Sequence, residues 1–204
     1  RIHDELAKPG TCGVGYNSLR FDDEVTRFTL WRNFYDPYAR EYSRGNSRWD
    51  LIDVVRCFFA LRPDSLTWPR RPDGAPSFKL EALTAANGLE HGAAHDAMSD
   101  VTATMALARA LRDADTELFD ELLSLRFRAR IEAIIDTHAM TPLVHVSGLL
   151  GTERACLGVI VPLAPHPELK SDVICADLSR EPRFLSMTSE EIKARLFAKS
   201  TDLV

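Results

Sequence analysis

The sequence predicts an α/β protein in two parts, a mostly helical segment over residues 1–141 and a smaller β-rich segment over residues 142–204. Before Pro142, apolar residues recur at helical spacing in several long segments, and one strand-like run lies near the start. After Pro142, short strand-like runs are separated by Gly, Pro and Asp. The 204 residues are enough to bury a sizeable core in one or two domains.

The first predicted elements are a buried strand and two helices. Residues 11–17 are apolar and contain glycine, as in a strand that runs into a turn. A helix is predicted over 22–35, because acidic residues open it and an apolar stripe follows. The stripe consists of Val25, Phe28, Trp31 and Tyr35. A second helix over 49–61 has a wide apolar face, with Ser47 as its candidate cap.

Further helices are predicted after a proline-rich loop. A short helix over 78–87 ends at an Asn-Gly pair, which is a good helix stop. Residues 96–112 have the clearest helical period, and residues 116–135 are helical again with a break near Phe127. The apolar face of the 96–112 helix is expected to contain Met98, Val101, Met105, Ala108 and Leu111.

The second part begins with strands and ends with a helix. The strands are predicted over 143–147, 157–162 and 173–178. A final helix is predicted over 189–199, because Thr188 and Glu191 form a capping-box pattern at its start.

The composition excludes several classes of protein. Apolar residues make up 45% and charged residues 27% of the chain, which excludes disorder and fibrous low-complexity structure. The formal net charge of −5 excludes a strongly basic nucleic-acid-binding protein, so DNA binding would need a local basic patch or a bound cation. No apolar run is long enough to cross a membrane, and no signal-peptide pattern follows Arg1. We therefore expect no association with membranes.

The cysteines are interpreted as reduced thiols. They are Cys12, Cys57, Cys156 and Cys175, and none forms a CxxC pair. A disulfide framework is usually denser in cysteine than this, so the sequence predicts a cytoplasmic protein.

The segment from His91 to Asp100 contains residues suited to catalysis, and four interpretations compete. His91 and His95 could bind zinc, although Gly92 disfavours a helix there and the catalytic Glu of HExxH is absent. His95-Asp96 could be the metal doublet of an HD-type phosphohydrolase, although a two-residue match carries little information. In the third interpretation, Asp100 binds a metal ion from its helix and His95 is a mobile base. In the fourth, all are ordinary loop and surface residues.

A second acidic motif follows the first predicted strand. The acidic residues are Asp22, Asp23 and Glu24. Adjacent carboxylates are unfavourable unless they are solvated or share a cation. Arg20 and Arg27 flank them and could bind phosphate oxygens. An ordinary acidic first turn with solvated arginines is the alternative.

Together, and in this order, the two motifs resemble those of the DEDDh exonucleases. Residues 17–22 resemble the second motif of that family, and His95-x-Ala97-x-x-Asp100 matches the third, H-x-A-x-x-D. Longer runs are similar to the bacterial exonuclease I group and extend over essentially the whole chain. They are GYNSLRFDDEVTR, RNFYDPYAREYSRGNSRWDLIDV, LRPDSLTWP, AANGLEH, AHDAMSDV and PLVHVSGLLG.

The resemblance implies an α/β fold with an incomplete ribonuclease-H-like exonuclease domain followed by a small SH3-like β domain. It implies an enzyme that degrades single-stranded DNA from the 3′ end and releases 5′-mononucleotides, with Mg²⁺ as cofactor and Mn²⁺ as an alternative ion. By the same resemblance, Asp22 and Asp100 are metal ligands and His95 is the catalytic base. These roles suit the residue types, since Mg²⁺ prefers oxygen ligands and a histidine can accept a proton near neutral pH.

The first motif of the family, D-x-E, is expected upstream of Asn17. A D-x-E at Asp115–Glu117 follows the third motif and begins a helix, so it does not fit this role. The chain is therefore expected to be an internal fragment that is inactive alone. The expected partners of the complete protein are single-stranded DNA and a single-strand DNA-binding protein, and the complete protein is expected to be a monomer.

Candidate DNA contacts are polar residues near the two motifs and a later arginine cluster. They are Asn17, Arg20, Arg27, Arg126, Arg128 and Arg130. Trp31, Tyr35 and Trp68 could stack on bases, although the first two fit the apolar stripe of a core helix. Two alternative functions stay open: a non-catalytic single-stranded DNA-binding module, and a DEDDh nuclease that acts on RNA.

Overall fold

The structure is a computed structural model, and it describes residues 2–89, 97–181 and 183–196. The chain divides into two compact units. The first extends to Ile135 and also includes Val146–Leu157, and the second comprises Asp136–His145 and the chain from Gly158 onward. The domain boundary at 141 stays a prediction.

The first unit contains a two-stranded parallel sheet surrounded by helices. Strand β1 (Cys12–Gly15) pairs with strand β2 (Ser47–Asp50), and the register places Gly15 opposite Asp50. The helices are α1 (Ile2–Leu6), α2 (Asp22–Arg32), α3 (Ala39–Tyr42), α4 (Leu51–Leu61), α5 (Leu80–Ala86), α6 (Ala97–Ala114), α7 (Thr116–Ser124) and α8 (Arg128–Ile134).

The core of this unit lies around α4. Leu51, Val54, Val55 and Phe58 are almost completely buried on one face of that helix. They pack with buried residues from the neighbouring helices, which are Leu83, Leu107, Leu111 and Phe119. The wide apolar face predicted for this helix is therefore confirmed.

Strand β2 was not expected, and the predicted cap of the following helix is wrong. Ser47 lies buried in β2, and the carboxylate of Asp50 accepts a hydrogen bond from the N–H of Ile52 at the start of α4. The four residues of β2 are too few and too polar to show the alternation that identifies a strand. The strand forms because β1 supplies a parallel partner from a distant part of the sequence.

The face that α2 buries also differs from the expectation. The predicted stripe is largely exposed, with Phe28 and Trp31 each 69% accessible, whereas Asp23 and Leu30 are buried. Periodicity identifies an apolar stripe but does not show whether another element covers it. The interpretation of Trp31 and Tyr35 as core residues is therefore wrong for the described chain.

Helix α6 divides its apolar residues between the core and the surface. Leu107 and Leu111 are buried, but Met98, Val101 and Met105 are exposed. The predicted apolar face is thus correct only in its C-terminal half. The predicted break near Phe127 is confirmed, because α7 ends at Ser124 and α8 begins at Arg128.

The second unit contains most of a three-stranded sheet. Its strands are β3 (Leu143–Val146), β4 (Leu157–Pro165) and β5 (Val173–Asp177), and they lie in the order β3-β4-β5. Helix α9 (Ser189–Leu196) follows, and Thr188 and Glu191 exchange the expected capping-box hydrogen bonds. The three predicted strands and the capping box are confirmed.

Two further sequence expectations can be compared with the described residues. All four cysteines are free thiols. Among the helices of the described ranges, none is long and apolar enough to span a membrane.

The exposed stripe of α2 predicts that the 204-residue chain binds hydrophobic dye. Phe28 and Trp31 lie on the same exposed helix face, and contiguous exposed apolar residues attract other apolar molecules. We expect the double substitution Phe28→Ser and Trp31→Ser to lower the fluorescence of bound anilinonaphthalene sulfonate clearly. Leu185→Ser, at an exposed apolar residue of the second unit, is the control and should change it little. Equal loss in both proteins would contradict the assignment to α2.

Candidate active site

A cleft of about 1390 Å³ in the first unit brings the two acidic motifs together. Strand β1 contributes Cys12 and Val14, which lie on the same face because every second residue of a strand points to one side. The first residue of α2, Asp22, and the first turn of α6, with Asp100, also line the cleft. Both carboxylates are exposed to solvent. Two motifs that are far apart in the sequence therefore face one open space.

The exposed apolar residues of α6 have a place in this arrangement. Val101 and Met105 line the cleft beside Asp100. Met105 lies four residues, about one helical turn, after Val101, so both apolar side chains share the part of α6 that faces the cleft and is accessible there.

The turn between β1 and α2 is fixed by hydrogen bonds to Asp50. Asn17 adopts a left-handed conformation, with φ of 55°, which asparagine tolerates better than most residues. Its N–H donates to Oδ1 of Asp50 at 2.7 Å, and the N–H of Leu19 donates to Oδ2 at 3.1 Å. Asp50 lies opposite Gly15, so its side chain reaches the turn directly from β2.

A buried ion-pair network holds α2 on its other side. Asp23 accepts hydrogen bonds from Arg40 and Arg48, each at 2.7 Å. Glu41 accepts from Arg27 at 2.8 and 2.9 Å and pairs with Arg48 at 3.1 Å. The second residue of α2 is thereby tied to α3 and β2.

Asp23 is 8% exposed, and its ionisation depends on these partners. Burial alone would raise the pKa of the carboxyl group. Hydrogen bonds and positive charge from Arg40 and Arg48 outweigh burial, and the pKa of Asp23 is lowered below its ordinary value. The folded state therefore binds the proton less tightly than the unfolded chain does.

This shift predicts that the Asp23 contribution to stability disappears in acid. A depressed folded-state pKa stabilises the protein above the unfolded pKa, near 3.9, and the effect is lost as pH falls through the folded pKa. At pH 7 we expect Asp23→Asn to lower the free energy of unfolding by about 3 kcal/mol, since one partner of a buried ion pair is removed. The difference between the two proteins should shrink below about pH 4.

Denaturant unfolding at pH 7, 5 and 3 measures this difference. Asp113→Asn is the control, because Asp113 is an exposed carboxylate on α6 and its replacement should change stability little. A difference between Asp23→Asn and the unsubstituted protein that stayed constant down to pH 3 would contradict the assignment.

The predicted DNA-contacting residues have different surroundings. Arg20 is exposed on the turn before α2. Arg27 forms ion pairs with Glu24 and Glu41, and Arg128 forms an ion pair with Glu132 at the surface. Whether Arg20, Arg27, Arg128 and Asn17 contact DNA stays a prediction.

One arginine from the later cluster lines the cleft. The Nε of Arg126 donates to the hydroxyl of Ser47 at 3.2 Å, and its guanidinium lies 4.1 Å from the ring centroid of Phe127. Its charge is therefore held at the cleft that Asp22 and Asp100 also line. Trp68, a predicted stacking residue, instead packs edge-on against Phe59 and donates its indole N–H to the carbonyl of Pro63.

The predicted base lies outside the described residues. This holds for His95, and also for His91 and Asp96, on which the zinc and HD-type interpretations depend. The described helix α6 begins directly after them, at Ala97.

The donor chemistry at the cleft suits a hard divalent cation. Asp22 and Asp100 offer carboxylate oxygens, which Mg²⁺ and Mn²⁺ accept. Within residues 2–89, 97–181 and 183–196, three or more potential ligands do not come together at one point. The two carboxylates therefore fit part of a metal site.

Sequence reasoning missed the residues that hold these groups in place. Asp50, Arg40, Arg48 and Glu41 were not singled out as functional. A signal was available for Asp50, because an aspartate directly before an apolar helical run is a typical N-cap. The ion pairs had no such signal, since they join residues that are far apart in the sequence.

Two family models match the chain in order. The model described as Exonuclease matches residues 1–108, and the model described as Exonuclease I SH3-like domain matches residues 126–204.

Curated relatives extend over the same range. Exodeoxyribonuclease I of Escherichia coli (strain K12) is 49% identical over 204 residues, which is 100% of this chain and 43% of that protein. Exodeoxyribonuclease I of Haemophilus influenzae is 46% identical over 200 residues, which is 98% of this chain and 42% of that protein. The chain thus spans less than half the length of these relatives.

Solved structures give the same result for the fold. A crystal structure of E. coli exonuclease I in complex with a dA16 oligonucleotide has a TM-score of 0.92 and 48% identity, covering 100% of this chain and 44% of that chain. An ExoI/SSB-Ct complex has a TM-score of 0.91 and 48% identity, with the same coverage.

The matches confirm the resemblance that the two motifs indicate, and the exonuclease family generally uses divalent metal ions. The chain belongs to the exonuclease family, with a ribonuclease-H-like exonuclease domain followed by the SH3-like domain of exonuclease I.

Proposed function

We propose that the complete protein that contains this chain is an exodeoxyribonuclease. It hydrolyses single-stranded DNA from the 3′ end and releases 5′-mononucleotides. The observation that carries the proposal is the shared cleft of Asp22 and Asp100, which come from two separate exonuclease motifs. The crystal structure of the E. coli relative with a dA16 oligonucleotide supports DNA as the substrate.

Asp22 and Asp100 would hold the divalent ions, with Mg²⁺ as the expected ion and Mn²⁺ as an alternative. Bound divalent ions would stabilise negative charge on the attacking oxygen, the leaving oxygen and the phosphoryl group. Because both carboxylates are exposed on an open cleft, they can coordinate ions that also bind a phosphate group of the DNA.

The remaining ligands are proposed to come from the D-x-E motif that the family resemblance places upstream of Asn17. Two carboxylates are too few to hold two metal ions, so the 204-residue chain alone is proposed to have little or no nuclease activity. We also propose that the exonuclease domain extends over residues 1–141 and that the SH3-like domain begins at residue 142.

His95 is proposed as the general base. Its ordinary pKa lies near 6.5, so a neutral imidazole can accept a proton from the attacking water near pH 7. In the sequence His95 comes five residues before Asp100, and the first turn of α6, which contains Asp100, lines the cleft.

DNA is proposed to bind along the basic residues around this cleft. Arg126 lines it, and Arg20 is exposed on the turn that leads to Asp22. Arg27, Arg128 and Asn17 stay predictions as DNA contacts. Arginine contacts to phosphate position DNA without reading its sequence, as an exonuclease requires.

The location and assembly of the complete protein are also proposals. We propose a cytoplasmic monomer that binds a single-strand DNA-binding protein, and the ExoI/SSB-Ct complex among the structural relatives supports that partner.

Product analysis tests the proposed function. The complete protein is incubated with Mg²⁺ and single-stranded DNA that carries a label at either the 3′ or the 5′ end. We expect immediate release of labelled mononucleotide from the 3′ end and a ladder of shortened products from the 5′-labelled strand. Binding without cleavage would favour a non-catalytic DNA-binding module. Preferential degradation of an RNA strand of the same sequence would favour an RNase.

A further inference from the structure

We propose that Asp50 is a positioning residue for Asp22, and that it sets the affinity of the site for its divalent ion. Asp50 does not line the cleft and is 6% exposed. It acts through the turn between β1 and α2, so its effect on the metal is indirect. The proposal rests on the proposed function, since it takes Asp22 as a metal ligand.

Three backbone groups depend on this one carboxylate. Oδ1 accepts the N–H of Asn17 at 2.7 Å and the N–H of Ile52 at 3.1 Å, and Oδ2 accepts the N–H of Leu19 at 3.1 Å. Two of these bonds hold the turn, and the third caps α4. A single side chain thus joins the turn to the helix that forms the centre of the core.

The turn held by Asp50 is itself hydrogen-bonded to the first turn of α2. The carbonyl of Ser18, which lies between the two tethered residues, accepts the N–H of Asp23 at 3.0 Å. The N-cap residue of α2, Phe21, makes no side-chain capping bond. The first turn of α2 is therefore placed by the tethered turn on one side and by the ion pairs of Asp23 on the other.

This arrangement makes the position of Asp22 sensitive to Asp50. Without the two turn bonds, Asn17 would lose a partner that holds it in a left-handed conformation, and Asp22 would follow the turn. Residues that orient a metal ligand from outside the coordination sphere change metal affinity or activity by about 10- to 100-fold when they are replaced.

Two substitutions distinguish the hydrogen bonds that hold the turn from the hydrogen bond that caps α4. Asp50→Ser keeps an oxygen that can cap the Ile52 N–H but is too short to hold Asn17 and Leu19. Asp50→Asn keeps one acceptor oxygen, which can take the place of Oδ1 and retain two of the three bonds. Asp115→Ser is the matched control, because Asp115 caps α7 through the N–H of Leu118 and lies away from the cleft.

The experiment measures the Mg²⁺ concentration for half-maximal release of mononucleotide by the complete protein. We expect it to rise about tenfold in Asp50→Ser and by a smaller factor in Asp50→Asn, with the turnover number recovering at saturating Mg²⁺. Asp115→Ser should keep the unsubstituted value even if its melting temperature falls.

A double-substitution cycle adds a readout that a purely structural role would not give. In an Asp22→Asn background, Asp50→Ser should have little further effect on Mn²⁺ binding, because both changes act on the same ligand. Independent effects on Mn²⁺ affinity would overturn the proposal. So would an unchanged Mg²⁺ requirement in Asp50→Ser, or loss of folding in both Asp50 variants. An unsubstituted protein without metal-dependent nuclease activity would instead overturn the proposed function.

Discussion

Replacing Asp22 or Asp100 with asparagine in the complete protein is expected to lower the rate of nucleotide release about a thousandfold. A catalytic metal ion stabilises the transition state by several kcal/mol, and each 1.4 kcal/mol corresponds to about a tenfold change in rate. An amide of the same shape keeps the helix start but removes the charge that attracts the ion. The measurement is the steady-state rate on 3′-labelled single-stranded DNA at saturating Mg²⁺.

Asp113→Asn provides the matched control for this prediction. Asp113 lies on the same helix as Asp100 and is exposed, but it does not line the cleft. Its replacement removes one negative charge from the protein without touching the proposed site. Rates within tenfold of the unsubstituted protein in both Asp22→Asn and Asp100→Asn would contradict the metal assignment.

Replacing His95 with alanine is expected to lower turnover about a hundredfold or more while DNA affinity stays nearly unchanged. This is the usual effect of losing a general base. In the unsubstituted protein, turnover should fall in acid, because the imidazolium cannot accept a proton. The variant should lose that part of the pH profile.

His138→Ala is the control for His95→Ala, because His138 is an exposed histidine of the second unit. It should leave both turnover and the pH profile unchanged. Full turnover of His95→Ala between pH 6 and 9 would show that another group or a metal-bound hydroxide removes the proton.

The helices of the first unit could be predicted because their apolar spacing is a local property of the sequence. The apolar face of α4 and the stop after α5 follow directly from that spacing and from the Asn-Gly pair. The burial of α2 could not be predicted in the same way, because its stripe has no covering element within the described unit. A stripe is a property of one helix, whereas burial depends on what lies against it.

The candidate site could be predicted only through the resemblance of the two motifs to a family. Residue spacing alone did not distinguish a metal-binding start of α2 from an ordinary acidic first turn of a helix. The ion pairs of Asp23 join residues that are distant in the sequence, so no local pattern could reveal them. Strand β2 was missed for a similar reason, since its pairing with β1 defines it more than its own four residues do.

Binding of Mn²⁺ to the complete protein tests most directly whether Asp22 and Asp100 belong to one metal site. Electron paramagnetic resonance counts bound Mn²⁺ in the unsubstituted protein, in Asp22→Asn, in Asp100→Asn and in the Asp113→Asn control. We expect either cleft substitution to weaken binding at the same site, the double substitution to add little, and the control to match the unsubstituted protein. Unchanged Mn²⁺ affinity and stoichiometry in both cleft variants would contradict the assignment of this cleft as the metal site.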